Sequence, residues 1–141
     1  MKAKEHAKDI ARSLDREFGK GDAAKALALM GAAEYAGEIV KLLDDESSLV
    51  RSDAALALGI LQATQYAKDV HRLLQDPEEF VRPSAAASLV LMESTDYAKE
   101  ALELLQGYKY ASLGFAVHPI VADECRRVNA RFNEVRERMA K

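Results

Sequence analysis

Tryptophan is absent from the chain and cysteine occurs once, at Cys125. A single thiol cannot close an intramolecular disulfide or build a cysteine-based zinc site, so a reducing compartment is expected. Aromatics make up 6% of residues while hydrophobics reach 49%. The core must therefore be built from Ala, Leu, Val and Ile, side chains small enough to let helices approach closely. No apolar run nears the ~18 residues of a membrane span. The opening Met1-Lys2-Ala3-Lys4-Glu5-His6 puts charge where a secretory signal needs its apolar stretch. A cytoplasmic protein without membrane contact is the expectation. An excess of positive charge is also missing: the formal net charge is −3. That argues against a nucleic-acid binder, a role that usually needs a basic domain or stripe. No stretch reads as a hinge between two folds, and the 141 residues are taken as one domain, 1–141.

What is present is a sentence written three times between Asp22 and Gln106. Tyr35, Tyr66 and Tyr97 are each followed by Ala, and successive members lie 31 residues apart. Ala23-Ala24, Ala54-Ala55 and Ala85-Ala86 fall in the same register, as do Leu27/Leu58/Leu89, Met30/Leu61/Met92, Leu42/Leu73/Leu104 and Leu43/Leu74/Leu105. The segment from Asp45 to Val50-Arg51 is echoed by Asp76 to Val81-Arg82. Self-similarity at a fixed period of this size is the signature of a solenoid.

Within each period the spacing predicts two antiparallel helices. The first helices are placed at about 22–32, 47–61 and 78–92, the second at about 34–44, 65–75 and 95–106. Ala3, Ala7, Ile10, Ala11, Leu14 and Phe18 line one face of an earlier helix, which forms an N-terminal cap over 1–21. Asp22 is expected to cap the helix that follows, Thr64 and Thr95 the second helices, and Asp76-Pro77-Glu78-Glu79 to open the third first-helix. Pro83 should either kink that helix or mark its true start. The register fails after Gln106: Gly107 falls where Asp45 and Asp76 stood, and Leu113 where Arg51 and Arg82 stood. The remainder, 107–141, reads as a divergent fourth repeat and a C-terminal capping helix from about Ile120 to Met139, with a stripe of Val121, Cys125, Val128, Phe132, Val135 and Met139.

The pattern of Asp, Val-Arg, Ala-Ala, a Leu-rich run and a second helix ending Leu-Leu resembles the HEAT repeat, in the short form named after phycobilisome (PBS) lyases. The resemblance covers Asp22 to about Gln106. It implies an all-α, right-handed α-α superhelix of about three full repeats between N- and C-terminal capping helices. It further implies that Asp45, Arg51, Asp76 and Arg82 form a structural ladder between repeats, and that the second helices line the concave side. An Arg fork can hold a carboxylate and helix-end carbonyls together, which makes such a ladder physically reasonable.

Weighed as sites, the tyrosines at 35, 66 and 97 share a face with the Leu pairs and are assigned to packing. The outward positions of the second helices form rows that include Glu38/Asp69/Glu100, Lys41/Arg72/Glu103, Lys68/Lys99 and His71. Mixed charge beside a partly apolar row suits a protein partner. Exposed ion pairs such as Asp69–Arg72 would explain the same residues without one. Tyr108, Tyr110 and Phe115 either close the open end of the array or act as a docking knob. His6, His71 and His118 lack the paired His-Glu motifs of HEAT-repeat iron hydroxylases, and no metal or other cofactor is expected. No Gly-rich phosphate loop or nucleophilic triad is evident, and no catalytic residue is assigned. The leading expectation is a non-enzymatic interaction module that binds a protein through the concave second-helix face. Two alternatives follow from the resemblance: a subunit of a bilin lyase or isomerase, or its accessory factor, and nucleic-acid binding as in HEAT-like DNA glycosylases. The C-terminal stripe also leaves open a homodimer.

Overall fold

A computed structural model describes residues 2–106, 122–139 and 141. The described chain is all helical and stacked as a solenoid. It opens with α1 (Lys2–Ala11), which tightens into a 3-10 turn at Arg12–Asp15. The first helices of the three repeats are α2 (Lys20–Leu29), α4 (Ser48–Ile60) and α6 (Val81–Leu91). Each packs on its neighbour, α2 on α4 and α4 on α6. The second helices are less regular than their spacing predicts. Two of them consist of a short α segment, α3 (Ala36–Ile39) or α5 (Ala67–His71), between 3-10 turns at Ala33–Tyr35 and Val40–Asp44, or at Thr64–Tyr66 and Arg72–Gln75. The third is α7 (Ala98–Gln106), and α8 (Ala122–Met139) packs against α6 and α7. Among the described residues, no helix is long and apolar enough to cross a membrane.

The core follows the register. Leu27, Leu58 and Leu89 are fully buried, as are Ala24, Ala55 and Ala86 one step along. Burying a Leu side chain is worth about 2 kcal/mol, so these two aligned rows of apolar residues give each repeat similar support. The turn inside each repeat is copied too. Gly31, Gln62 and Glu93 all adopt positive φ, at 69°, 54° and 52°. After each of them, a backbone N–H reaches back to the buried Leu: Ala32 to Leu27, Ala63 to Leu58 and Ser94 to Leu89. This is a Schellman closure, which places its C′ residue in the left-handed region. Only the first repeat uses glycine there. At Gln62 and Glu93 the left-handed backbone costs about 1 kcal/mol.

Several local expectations need correction. The α2 helix starts at Lys20 behind Gly19, whose φ is 82°, and Asp22 sits exposed in its first turn. Asp76 does accept the Glu78 N–H at 2.9 Å, but that contact closes a turn ahead of the helix, and α6 begins only at Val81. Pro83 is therefore the third residue of α6, where the missing N–H would have no helical partner, and it marks the true start. Thr64 lies inside the 3-10 turn that begins the second helix, whose N-cap is Ala63 without a side-chain bond. The α7 helix starts three residues beyond Thr95. Ser47 is the residue that caps α4, accepting the Val50 N–H. Phe18 departs furthest from its expected place on a buried face. The chain turns extended at Arg16 (ψ 157°), so Ala7 and Leu14 reach the core while Phe18 is 80% exposed.

Candidate functional site

The outward rows of the second helices give a surface of mixed charge. Glu38, Lys41, Lys68, Arg72, Lys99, Glu100 and Glu103 are exposed, while Asp69 and His71 are half-buried. Two contacts cross between repeats on this face. His71 Nε2 lies 2.7 Å from Glu100 Oε2, and its ring stacks on Tyr97 with centroids 4.2 Å apart and planes 22° from parallel. Arg72 Nη1 donates to Asp44 Oδ1 at 3.1 Å, which replaces the expected pairing with Asp69 on the same helix. Val40 is the residue in register with His71, so the stack on Tyr97 belongs to the third repeat's chemistry and not to the period. Tyr35, Tyr66 and Tyr97 are half-buried and packed against the core. The Tyr66 hydroxyl reaches the Gly37 position of the preceding repeat.

Beside this face, the turns of the second and third repeats enclose an open cleft of about 380 Å³, with Thr64, Lys68, Met92, Glu93, Asp96 and Tyr97 among its lining residues. Lys68 is its only residue shared with the expected binding rows. Among the described residues, no group of three or more His, Cys, Asp and Glu could hold a metal ion. Tyr108, Tyr110 and Phe115 lie outside the described residues, as does His118.

The residues expected to form a ladder meet at the other end of the repeats. Arg51 grips Asp76 with two prongs, Nε to Oδ2 at 2.9 Å and Nη2 to Oδ1 at 3.0 Å. Its third nitrogen, Nη1, donates to the Asp45 and Glu46 carbonyls at 2.9 and 3.2 Å. Arg82 Nε donates to the Asp76 carbonyl at 2.7 Å. Asp45 is held by Lys20, at 2.7 Å, and by the Ser47 N–H. Lys20 was not among the expected residues, yet it stands one period before Arg51, and searching the register for any cation would have found it. The Arg51 guanidinium holds the Asp76 carboxyl below the usual carboxylate range, and Lys20 does the same for Asp45.

The C-terminal helix reads the two non-glycine turns. Arg131 donates to the Leu91 carbonyl at 2.9 Å and, with the Gln62 amide oxygen turned towards it, to Gln62; Arg138 pairs with Glu93. Val135 is buried and Met139 packs on the core, so this end of the predicted stripe faces inward. The side-chain surroundings of Cys125, Val128 and Phe132 lie outside the described set.

Curated proteins give no match to the chain. A family model for HEAT repeats matches residues 7–90. The match spans the first two helix pairs, their turns at Gly31 and Gln62 and the rungs at Lys20–Asp45 and Arg51–Asp76, more than half of the sequence, and the chain belongs to the HEAT-repeat family.

Proposed function

We propose that this protein is a non-enzymatic interaction module of the short PBS-lyase HEAT-like type, binding a protein partner across its second helices. One observation carries this reading. Charged side chains of both signs recur in register on neighbouring second helices, and cross-repeat bonds, His71 with Glu100 and Arg72 with Asp44, pre-order part of the face. A surface ordered before binding loses less side-chain freedom on association. Patterned charge selects its partner by complementarity more than by raw affinity.

On this reading Lys68, Arg72 and Lys99 supply the positive positions and Glu38, Glu100 and Glu103 the negative ones, with the ladder residues keeping the repeats in register. The test is quantitative cross-linking and capture from the native cell extract with the parent, a Lys68→Glu/Arg72→Glu/Lys99→Glu variant and a Lys8→Glu control. A partner held by parent and control and lost from the triple variant supports the face. Equal recovery with all three would end the assignment.

A further inference from the structure

Three of the large exposed apolar side chains of the described chain stand one period apart. Phe18 is 80% exposed, Leu49 62% and Phe80 47%, and successive members are separated by 31 residues. Each sits where a first helix begins: Phe18 just before the Gly19 N-cap of α2, Leu49 in the first turn of α4, and Phe80 at the N-cap of α6. The rungs bring the segments that carry the three side by side. Lys20, two residues after Phe18, is bonded to Asp45, four residues before Leu49. Arg51, two residues after Leu49, is bonded to Asp76, four residues before Phe80. Core packing would bury such residues and chance would scatter them, so a row kept on the surface at the repeat spacing has the form of a binding track.

The surroundings fix the sign of the occupant. The segments ending in these residues are Asp15-Arg16-Glu17-Phe18, Glu46-Ser47-Ser48-Leu49 and Pro77-Glu78-Glu79-Phe80. Asp15, Glu17, Glu46, Glu78 and Glu79 are all exposed, and none takes part in an ion pair among the described residues. Arg16 is the only cation within the three segments; Lys20 and Arg51 are bonded to the rung carboxylates of Asp45 and Asp76, and Arg82, two residues after Phe80, is half-buried and donates to the Asp76 carbonyl, so the five exposed carboxylates outnumber the cations left along this edge.

We infer that this edge is a docking track for an extended, basic segment of a partner protein, one carrying an apolar side chain at every third position with Lys or Arg between. The spacing favours that conformation. Stacked helices lie ~10 Å apart, and a polyproline II strand returns a side chain to the same face about every 9 Å. Apolar contacts to Phe18, Leu49 and Phe80 supply anchorage, and the flanking carboxylates supply orientation and selection. The track is separate from the second-helix face and does not depend on it.

Fluorescence anisotropy with a short labelled peptide repeating Leu-Lys-Pro tests this. The parent protein should bind it saturably, more weakly as salt rises. A Phe18→Ser/Leu49→Ser/Phe80→Ser variant should lose about tenfold or more in affinity, and Leu49→Ser alone a smaller part, with helical circular dichroism unchanged because the three side chains lie on the surface. A Ser-Lys-Pro peptide of equal charge and a Leu-Glu-Pro peptide should both fail. The Lys68→Glu/Arg72→Glu/Lys99→Glu variant should bind like the parent, whatever becomes of the second-helix reading. Absence of saturable binding, equal binding of the Ser-Lys-Pro peptide, or undiminished binding by a folded triple Ser variant would each overturn the track.

Discussion

The joint between α2 and α4 and the joint between α4 and α6 occupy the same place in the period and are made of different chemistry. In the first, Gly21 leaves room for Asp53, whose carboxylate is drawn to Lys25 at 3.4 Å, and the rung is Lys20–Asp45. In the second, the corresponding positions are Ser52 and Ser84, whose hydroxyls lie 2.6 Å apart, and the rung is the two-pronged Arg51–Asp76. Further along this joint Gly59 lies against Ser88, close enough that a Cβ there would stand 2.6 Å from the Ser88 Cα. One joint is ionic and tied by a point charge; the other is neutral, closer and tied by a planar fork. The period therefore fixes the positions that meet, and each joint fills them with its own polar chemistry, down to a buried Ser88 hydroxyl in the second without a hydrogen-bond partner among the described residues.

The difference should be largest at the rungs. Arg51→Ala removes both prongs from Asp76, whose side chain is only 3% exposed, and leaves that carboxylate with the Glu78 N–H alone, which is expected to cost about 3 kcal/mol. Lys20→Ala exposes Asp45 to water and leaves its bond from the Ser47 N–H, so the loss should be clearly smaller than at Arg51. Urea unfolding of the two variants measures both, and equal losses would break the contrast. Acid should act on both rungs in one direction. The folded Asp45 and Asp76 carboxyls lie below their ordinary value of 3.8. Their stabilisation is thus fully present above that pH and is lost as pH falls through the lowered folded values.

Glycine substitution should give the next largest effect. Gly59→Ala drives a methyl into the backbone of α6, which cannot step aside without moving the helix, and should cost about 1–3 kcal/mol. Gly21→Ala meets the end of the Asp53 side chain, which can swing, and should cost less. Thermal unfolding ranks the pair, and the reverse order would show that the closer joint is not the α4–α6 one.

How much of this could be read from the sequence follows from what a period conveys. The helix pairs and the buried Leu and Ala rows depend on register, and register was visible; the ladder of Asp45, Arg51, Asp76 and Arg82 came from the resemblance to HEAT repeats. The place of Phe18 was not, because an apolar residue at helical spacing from Leu14 looks buried until the chain is seen to turn at Arg16. Its equivalence to Leu49 and Phe80 was available in the numbering, but exposure is not. The 3-10 character of the second helices left no mark either: their apolar spacing suits an α-helix, and the tightening at Val40–Asp44 and Arg72–Gln75 shows only in the backbone. The left-handed turn was not read from the sequence: it falls on glycine only at Gly31, and at Gln62 and Glu93 contacts with Arg131 and Arg138 accompany the strained backbone. The outward rows of the second helices were legible as positions, whereas the exchange of Asp69 for Asp44 as the carboxylate bonded to Arg72 required the stacked arrangement.

The smallest effect has the opposite sign and sharpens the contrast most. Burial raises the Asp53 carboxyl above its ordinary value of 3.8, and the attraction of Lys25 does not outweigh this. A folded-state value above the unfolded one means that the native protein holds the proton more tightly. Stability then falls as pH rises from the ordinary carboxylate value through the raised one, and stays lower above it. Asp53→Asn keeps the shape and removes the charge. It should therefore stabilise the protein at neutral pH, by roughly half a kcal/mol, and the gain should vanish below about pH 4, where the parent's carboxyl is itself protonated. The corresponding change in the second joint, Ser84→Ala, has no titrating group to relieve and should be independent of pH. Stability curves for both variants between acid and neutral pH decide it: a pH-dependent gain for Asp53→Asn alone places the ionic cost in the first joint, and a loss at neutral pH would mean that the pair with Lys25 outweighs burial.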